Sequence, residues 1–194
     1  MRKLEEAIQR MGIGIGQDVV KVDMFLNHRI DVQLLSEMGL EIAKHFAYCK
    51  PDIVLTVEAS GIALAVAAAH ALGNIPVVFA KKSKASNQDS DMLEASVYSF
   101  THQKQNIIRV NRQYLPEGSR VLIVDDFLAN AEAVQGLISV IDQADCALCG
   151  VAVAVEKGFQ PGGKLLRSKG INVLSLAVVK SIQDGRIELE TQPE

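Results

Sequence analysis

Four short apolar runs, Ile53–Val57, Ile75–Ala80, Val121–Val124 and Val151–Val155, recur along the chain, each uninterrupted by charge. Strands buried on both faces read this way, because neither face meets water. Helical stretches at Ile62–Leu72 and Ala131–Ala144 lie between them. Strands alternating with helices imply a parallel sheet built from right-handed crossover units. The expected class is therefore α/β, with a central, mostly parallel sheet flanked by helices.

Upstream of the first run, residues 2–11 set Leu4, Ala7, Ile8 and Met11 on one helical face, and Gly12, Gly14 and Gly16 break the pattern. Asp31 is placed to cap a longer helix in which Leu34, Leu35, Met38, Ile42 and Phe46 repeat at helical spacing, with Pro51 after its end. Two segments depart from the alternation. Lys81–Met92 is polar, carries Lys81, Lys82 and Lys84, and reads as a flexible functional loop. Ser96–Thr101 and Asn106–Val110 then read as an antiparallel hairpin inserted beside the sheet. The tail from Ile182 to Glu194 looks too polar to add much core. With no repeat or linker dividing the chain, residues 1–194 are expected to form one domain, with residues 1–30 folding back over it as a hood.

The 194 residues are 48% apolar and 22% charged, with a formal net charge of −3. Weak acidity argues against nucleic-acid binding by bulk charge, so any phosphate site must be local. The most apolar segments, Gly61–Gly73 and Cys146–Val155, are shorter than the ~20 residues that span a bilayer, so no membrane association is expected. The charged start Met1-Arg2-Lys3-Leu4-Glu5-Glu6 lacks the pattern of a secretory signal, and a cytoplasmic location is expected. Three cysteines cannot all pair. Cys146 and Cys149 form a CxxC in a strand-like stretch rather than at a helix start, and read as packed thiols rather than a redox pair or half a zinc site.

In an open α/β sheet, ligands bind outside the carboxyl ends of the parallel strands, where loops converge and helix N-termini present free N–H groups. Those ends here carry Glu58-Ala59-Ser60-Gly61, Lys81-Lys82, Asp125-Asp126 and Glu156-Lys157. The third is the most informative: an apolar run ends in two acids, and Phe127, Leu128, Ala129, Asn130, Ala131, Glu132 and Ala133 lead into a helix. Two acids accept hydrogen bonds from vicinal hydroxyls, while turn N–H groups and a helix dipole hold a phosphate slightly further on. A ribose 5-phosphate satisfies both demands.

This stretch resembles the phosphoribosyl diphosphate (PRPP) motif of type I phosphoribosyltransferases. Val22-Asp23 with Phe25-Leu26-Asn27-His28, Glu58 to Gly61, Ala95 to Thr101, and Glu156-Lys157 with Phe159-Gln160-Pro161-Gly162 extend the likeness to the bacterial xanthine-using members, over essentially the whole length. The resemblance implies the type I fold and transfer of ribose 5-phosphate from PRPP to xanthine, giving xanthosine monophosphate and pyrophosphate. It also implies Mg²⁺ carried with PRPP rather than a dedicated protein metal site, and a cytoplasmic homodimer. Asp125, Asp126 and Lys81 would be catalytic. Glu58, Ala59, Ser60 and Gly61, with Leu128 to Ala133, would bind PRPP. Val20, Asn27, Phe127, Glu156 and Lys157 would bind xanthine.

The residues suit those roles. Lys81, with Lys82 or Lys84, neutralises a diphosphate. Lys157 donates to an exocyclic oxygen, which suits a 6-oxopurine and clashes with a 6-amino group. Asn27 both donates and accepts, Phe127 stacks, and Val20 forms a wall. One departure stands out: the family commonly has glycine where this chain has Ala131, at a position where close approach to phosphate or positive φ favours glycine. Two other readings remain open, a phosphoribosyltransferase for a different purine and a PRPP-sensing regulator. Against the regulator, no segment of DNA-binding size precedes Val19 and no basic recognition helix is evident.

Overall fold

A computed structural model describes residues 1–82, 91–99 and 104–190. Its centre is a six-stranded sheet formed by β3 (Ile53–Val57), β4 (Val77–Ala80), β7 (Arg120–Leu128), β8 (Ala147–Lys157), β9 (Val173–Gln183) and β10 (Arg186–Leu189). The order is β10-β9-β8-β7-β3-β4, and only the β10–β9 pair is antiparallel. Each apolar run expected as a strand lies in or overlaps one of these.

Helices cover both faces. One core gathers α1 (Arg2–Met11), α2 (Val32–Phe46) and α3 (Gly61–Ala71) through Leu4, Ile8, Met38, Ile42, Phe46, Leu64 and Ala68, against Leu122, Val124, Ala152 and Ala154 of the sheet. The other gathers α4 (Glu132–Gln143) and α5 (Gly162–Ser168) through Val134, Leu137, Ile141 and Leu166, against Ile123, Val151 and Val153. Alternate residues over Val121–Val124 of β7 and Val151–Ala154 of β8 thus serve opposite cores, as a pleated strand requires. Asp31 caps α2 as expected, accepting the Leu34 N–H at 3.0 Å. At Gly39 the backbones of α2 and α3 meet closely: a Cβ there would lie 2.6 Å from the Ala67 carbonyl.

The antiparallel insertion is present as β5 (Met92–Ser99) and β6 (Lys104–Asn111), packed on α4. Thr101, expected in its first strand, and Lys84 of the preceding loop lie outside the described residues. Several features differ from the sequence reading. The glycine-broken stretch after α1 forms a small hairpin, β1 (Ile13–Ile15) with β2 (Val19–Lys21), turning at Gly16 with φ 61°. Asp23–Asn27 then winds as a single π-helical turn that buries Phe25 and Leu26. The chain after Ile171 adds two strands, β9 and β10. Ile182 is buried, and Ile187 and Leu189 pack on the first core, so this tail does contribute core despite its polarity. Cys146 immediately precedes β8 and Cys149 lies within it; burial pushes the Cys149 thiol up to about 12, helped by the neighbouring Cys49 thiol. That thiol is far from the thiolate a redox pair needs.

Candidate active site

The two acids lie inside β7 rather than beyond it. Asp125 pairs in register with Val153, Phe127 with Val155 and Leu128 with Glu156, so the parallel ladder to β8 continues past both carboxylates. Asp125 and Asp126 are 5% and 7% exposed. Asp125 Oδ1 accepts the Asp126 N–H at 2.9 Å. Burial, and then the adjacent Asp126 charge, push the Asp125 carboxyl well above the usual carboxylate range. Gly61, the first residue of α3, is set hard against this group. A Cβ there would lie 2.5 Å from Asp125 Oδ1 and 2.4 Å from Thr56 Oγ1.

After Leu128 the chain turns through Ala129 and Asn130 to Ala131, which stands at φ 72° and precedes α4. The position does have positive φ, the conformation for which glycine is the usual choice. The leading N–H groups of α4 have no partner within the helix and open toward this turn. Glu132 and Ala133 form the first turn of α4, and Glu132 is the acidic residue there.

The neighbouring strand ends bring the other phosphate-side candidates to the same edge. Glu58, Ala59, Ser60 and Gly61 join β3 to α3, with a cis peptide between Glu58 and Ala59. The Glu58 N–H donates to the Ala80 carbonyl at 3.0 Å, and the Glu58 carboxylate accepts the Lys82 N–H at 2.6 Å. Lys81 follows β4 directly; its N–H and carbonyl exchange hydrogen bonds of 2.9 Å with Arg109 of β6, and its side chain is exposed. Its backbone is thus fixed to the hairpin while its ammonium reaches solvent.

On the face carrying α1 and α2, the N-terminal segment closes over the same strand ends. Asn27 Nδ2 donates to Asp126 Oδ2 at 3.2 Å. Lys157 Nζ donates to the Asp18 carbonyl at 2.6 Å and lies 5.9 Å from the centre of the Phe127 ring. Burial lowers the Lys157 pKa, partly opposed by the Asp18 charge. Val20 is buried in the adjoining core. Asn27 thus reaches the acid pair from the N-terminal segment, and Lys157 lies beside Phe127, the next residue along β7.

Glu156 does not join them. Its carboxylate is on the opposite face, where Arg167 donates to both oxygens at 2.8 and 2.7 Å and the Ser175 hydroxyl donates to Oε2. Burial opposes its ionisation, yet Arg167 and Ser175 outweigh that and hold its pKa below the ordinary value. Consecutive residues Glu156 and Lys157 project to opposite faces, and the alternation of β8 slips just before them, where Ala154 and Val155 both enter the first core. Sequence reasoning missed Arg167 and Ser175, since the contacts span 11 and 19 positions with no local pattern. It also missed the Asp18 carbonyl, a backbone group that carries no residue signature.

This strand-end arrangement defines a class. The profile of the phosphoribosyl transferase domain matches residues 21–179, and the chain belongs to that family. Among curated relatives, xanthine phosphoribosyltransferase of Clostridioides difficile (strain 630) is 47% identical over 188 residues, covering 97% of this chain and 99% of that one. The protein of the same name from Ruminiclostridium cellulolyticum is 49% identical over 187 residues, covering 96% and 98%. Among solved structures, adenine phosphoribosyltransferase from Rhodothermus marinus superposes with a TM-score of 0.72 at 22% identity, over 92% of this chain and 99% of that one. At that identity the likeness establishes the type I phosphoribosyltransferase fold.

Proposed function

We propose that this protein transfers the ribose 5-phosphate of PRPP to xanthine, giving xanthosine 5′-monophosphate and pyrophosphate. The observation that carries the reading is the meeting, at one sheet edge, of a buried aspartate pair, a small-residue turn into α4, and the Asn27–Phe127–Lys157 group. The names of the relatives, at 47% and 49% identity over nearly the whole chain, support xanthine as the base.

In this reading the N–H groups of Leu128 to Ala133 hold the 5-phosphate and Asp125 and Asp126 hold the ribose hydroxyls. Attack by an imidazole-ring nitrogen of the purine on the anomeric carbon forms the C–N bond as the bond to pyrophosphate breaks, and the imidazole N–H proton passes to solvent. The transition state resembles an oxocarbenium ion, so the fixed field of the two acids favours it more than the ground state. N–H groups of Ala59, Ser60 and Gly61, together with Lys81, stabilise the departing diphosphate. Lys157 donates to an exocyclic oxygen of xanthine, Asn27 fixes the ring edge, Phe127 stacks and Val20 closes the wall. Glu156 serves the site by holding its surroundings.

Among the described residues no three His, Cys, Asp or Glu side chains converge to hold a metal. The donor set, two adjacent carboxylates beside a diphosphate subsite, fits Mg²⁺ arriving with PRPP, since that ion takes one or two carboxylates plus phosphate oxygens. When bound, Mg²⁺ supplies charge neutralisation on the leaving group.

The reading extends to residues 1–194 as one domain with residues 1–30 as its hood, to a homodimer and to work in the cytoplasm. None of the described helices is long and apolar enough to cross a membrane. The test is a spectrophotometric assay with PRPP, Mg²⁺ and each of xanthine, guanine, hypoxanthine and adenine at equal concentration. Xanthine is expected to react fastest. Product with another base alone would remove the Asn27 and Lys157 roles, and no product despite PRPP binding would make the protein a sensor.

A further inference from the structure

The turn from Leu128 to Ala131 is gripped from two sides, and one ion pair, between the buried Glu156 carboxylate and the partly exposed Arg167 guanidinium, ties the two grips together. On the first side, Leu128 lies in register beside Glu156 in the β7–β8 ladder. On the second, the start of α5 abuts the turn: the Gly162 N–H donates to the Ala129 carbonyl at 3.0 Å. The approach is so close that a Cβ on Gly162 would lie 2.2 Å from the Ala129 oxygen, 2.7 Å from the Ala131 nitrogen and 2.8 Å from the Asn130 carbonyl carbon. These are backbone atoms of the turn and cannot swing aside as a side-chain tip does.

The next residue locks α5 to β8. A Cβ on Gly163 would lie 1.8 Å from Glu156 Oε1 and 2.6 Å from Arg167 Nη1, so the ion pair passes directly across the glycine. Arg167, in the last turn of α5, grips both Glu156 oxygens, and Ser175 of β9 supplies a third donor. The Glu156 side chain is 6% exposed while that of Arg167 is 43% exposed, so water is kept from the carboxylate although it reaches the guanidinium. A fork held at both prongs fixes the orientation of α5 as well as its distance.

We propose that Arg167 is a positioning residue for PRPP: through Glu156 and the Gly162–Gly163 pair it seats α5 against the Ala129–Ala131 turn and so fixes the N–H groups that hold the 5-phosphate. The inference rests on the reading of that turn as the phosphate site. Arg167 touches no reacting atom in it. Its effect is geometric, and displacement of a binding group by about 1 Å is enough to cost one to two orders of magnitude.

The test compares three proteins by calorimetric titration of PRPP with Mg²⁺, each first shown to be folded by circular dichroism and thermal melting. Arg167→Lys keeps the positive charge beside Glu156 and loses the fork, which protects the fold, and Arg167→Met removes both. Ala129→Asp puts a carboxylate into the turn itself. The expected result is PRPP binding weakened on the order of 10-fold in Arg167→Met, less in Arg167→Lys, and abolished in Ala129→Asp. Steady-state kinetics should show the KM for PRPP rising in both Arg167 variants, with the KM for xanthine unchanged. If Ala129→Asp abolishes PRPP binding while the Arg167 variants bind as the parent does, the positioning role is refuted and the phosphate reading stands. If Ala129→Asp also leaves PRPP binding intact, the phosphate reading itself falls and takes the inference with it. An equal rise in KM for both substrates in the Arg167 variants would show general loosening and likewise refute the role.

Discussion

Replacing Asp125 by Asn separates what this residue does for the fold from what it does for chemistry. The carboxylate is buried beside a second acid, and its pKa is raised first by burial and then by Asp126. An acid whose folded pKa exceeds its unfolded value, about 3.9 for aspartate, contributes most favourably below the unfolded value. That contribution erodes as pH climbs from there toward the raised folded value, because the unfolded chain releases its proton first. Asparagine never ionises, and its Oδ1 still accepts the Asp126 N–H that Asp125 accepts at 2.9 Å. Removing the desolvation penalty of one poorly compensated buried group is worth about 1–3 kcal/mol, or a rise in Tm of roughly 2–12 °C for a chain of this size. The gain should be present at pH 8 and vanish near pH 4. Turnover should fall by about 100-fold or more, since an amide can neither take on negative charge beside the developing sugar cation nor accept from ribose hydroxyls through two oxygens. Melting curves from pH 4 to 9 and an assay at pH 8 test both halves. A Tm difference independent of pH would refute the stability argument, and an unchanged rate would remove Asp125 from the ribose.

Three further outcomes follow from other parts of the molecule. Lys157→Ala should raise the KM for xanthine by about 10-fold or more, the worth of a charged hydrogen bond, with little effect on that for PRPP; equal rises would place Lys157 outside the base pocket. At the other end of the sheet, Arg120 holds the Asp52 carboxyl down to about 2 through hydrogen bonds at 2.8 and 2.9 Å. A depressed acid stabilises the fold above its unfolded pKa and loses that contribution as pH falls toward 2, so Asp52→Asn should flatten the acid limb of the melting profile, and an unchanged limb would show the pair contributes nothing. Gly39→Val should destabilise by about 1–3 kcal/mol, because its Cβ would meet the Ala67 carbonyl at 2.6 Å; a denaturant midpoint equal to the parent's would show that α2 and α3 can part without cost.

The parts of this fold visible in the sequence are those governed by local rules. Uninterrupted apolar runs mark the parallel strands, and the Asp31 cap needs only a side chain three residues from its donor. The β1–β2 hairpin escaped because its glycines resemble a simple helix stop, and β9 and β10 escaped because polar residues at Lys180, Gln183 and Glu188 mask the apolar alternation. On the site side, the acid pair and the turn into α4 were legible because they are contiguous. Glu156 was misplaced because the alternation of β8 slips at Ala154 and Val155, which both enter the first core, and a one-residue slip that no residue pattern announces moves a side chain to the other face.

Two unfavourable features meet at the end of β7: a pair of buried acids and an alanine held at φ 72°. Neither would persist in a chain segment free to relax. Their persistence has identifiable causes in the packing around them. Gly61 brings α3 against Asp125, Gly162 brings α5 against the Ala129–Ala131 backbone, and Asn27 donates to Asp126 from the N-terminal segment. Each contact comes from a different element, and two of them require a residue with no side chain. The backbone of the proposed phosphate turn is therefore set by the surrounding elements rather than by the turn's own preference. That is why substitutions at Gly61 or Gly162, which carry no chemical group of their own, should disturb PRPP binding as surely as changes in the turn itself.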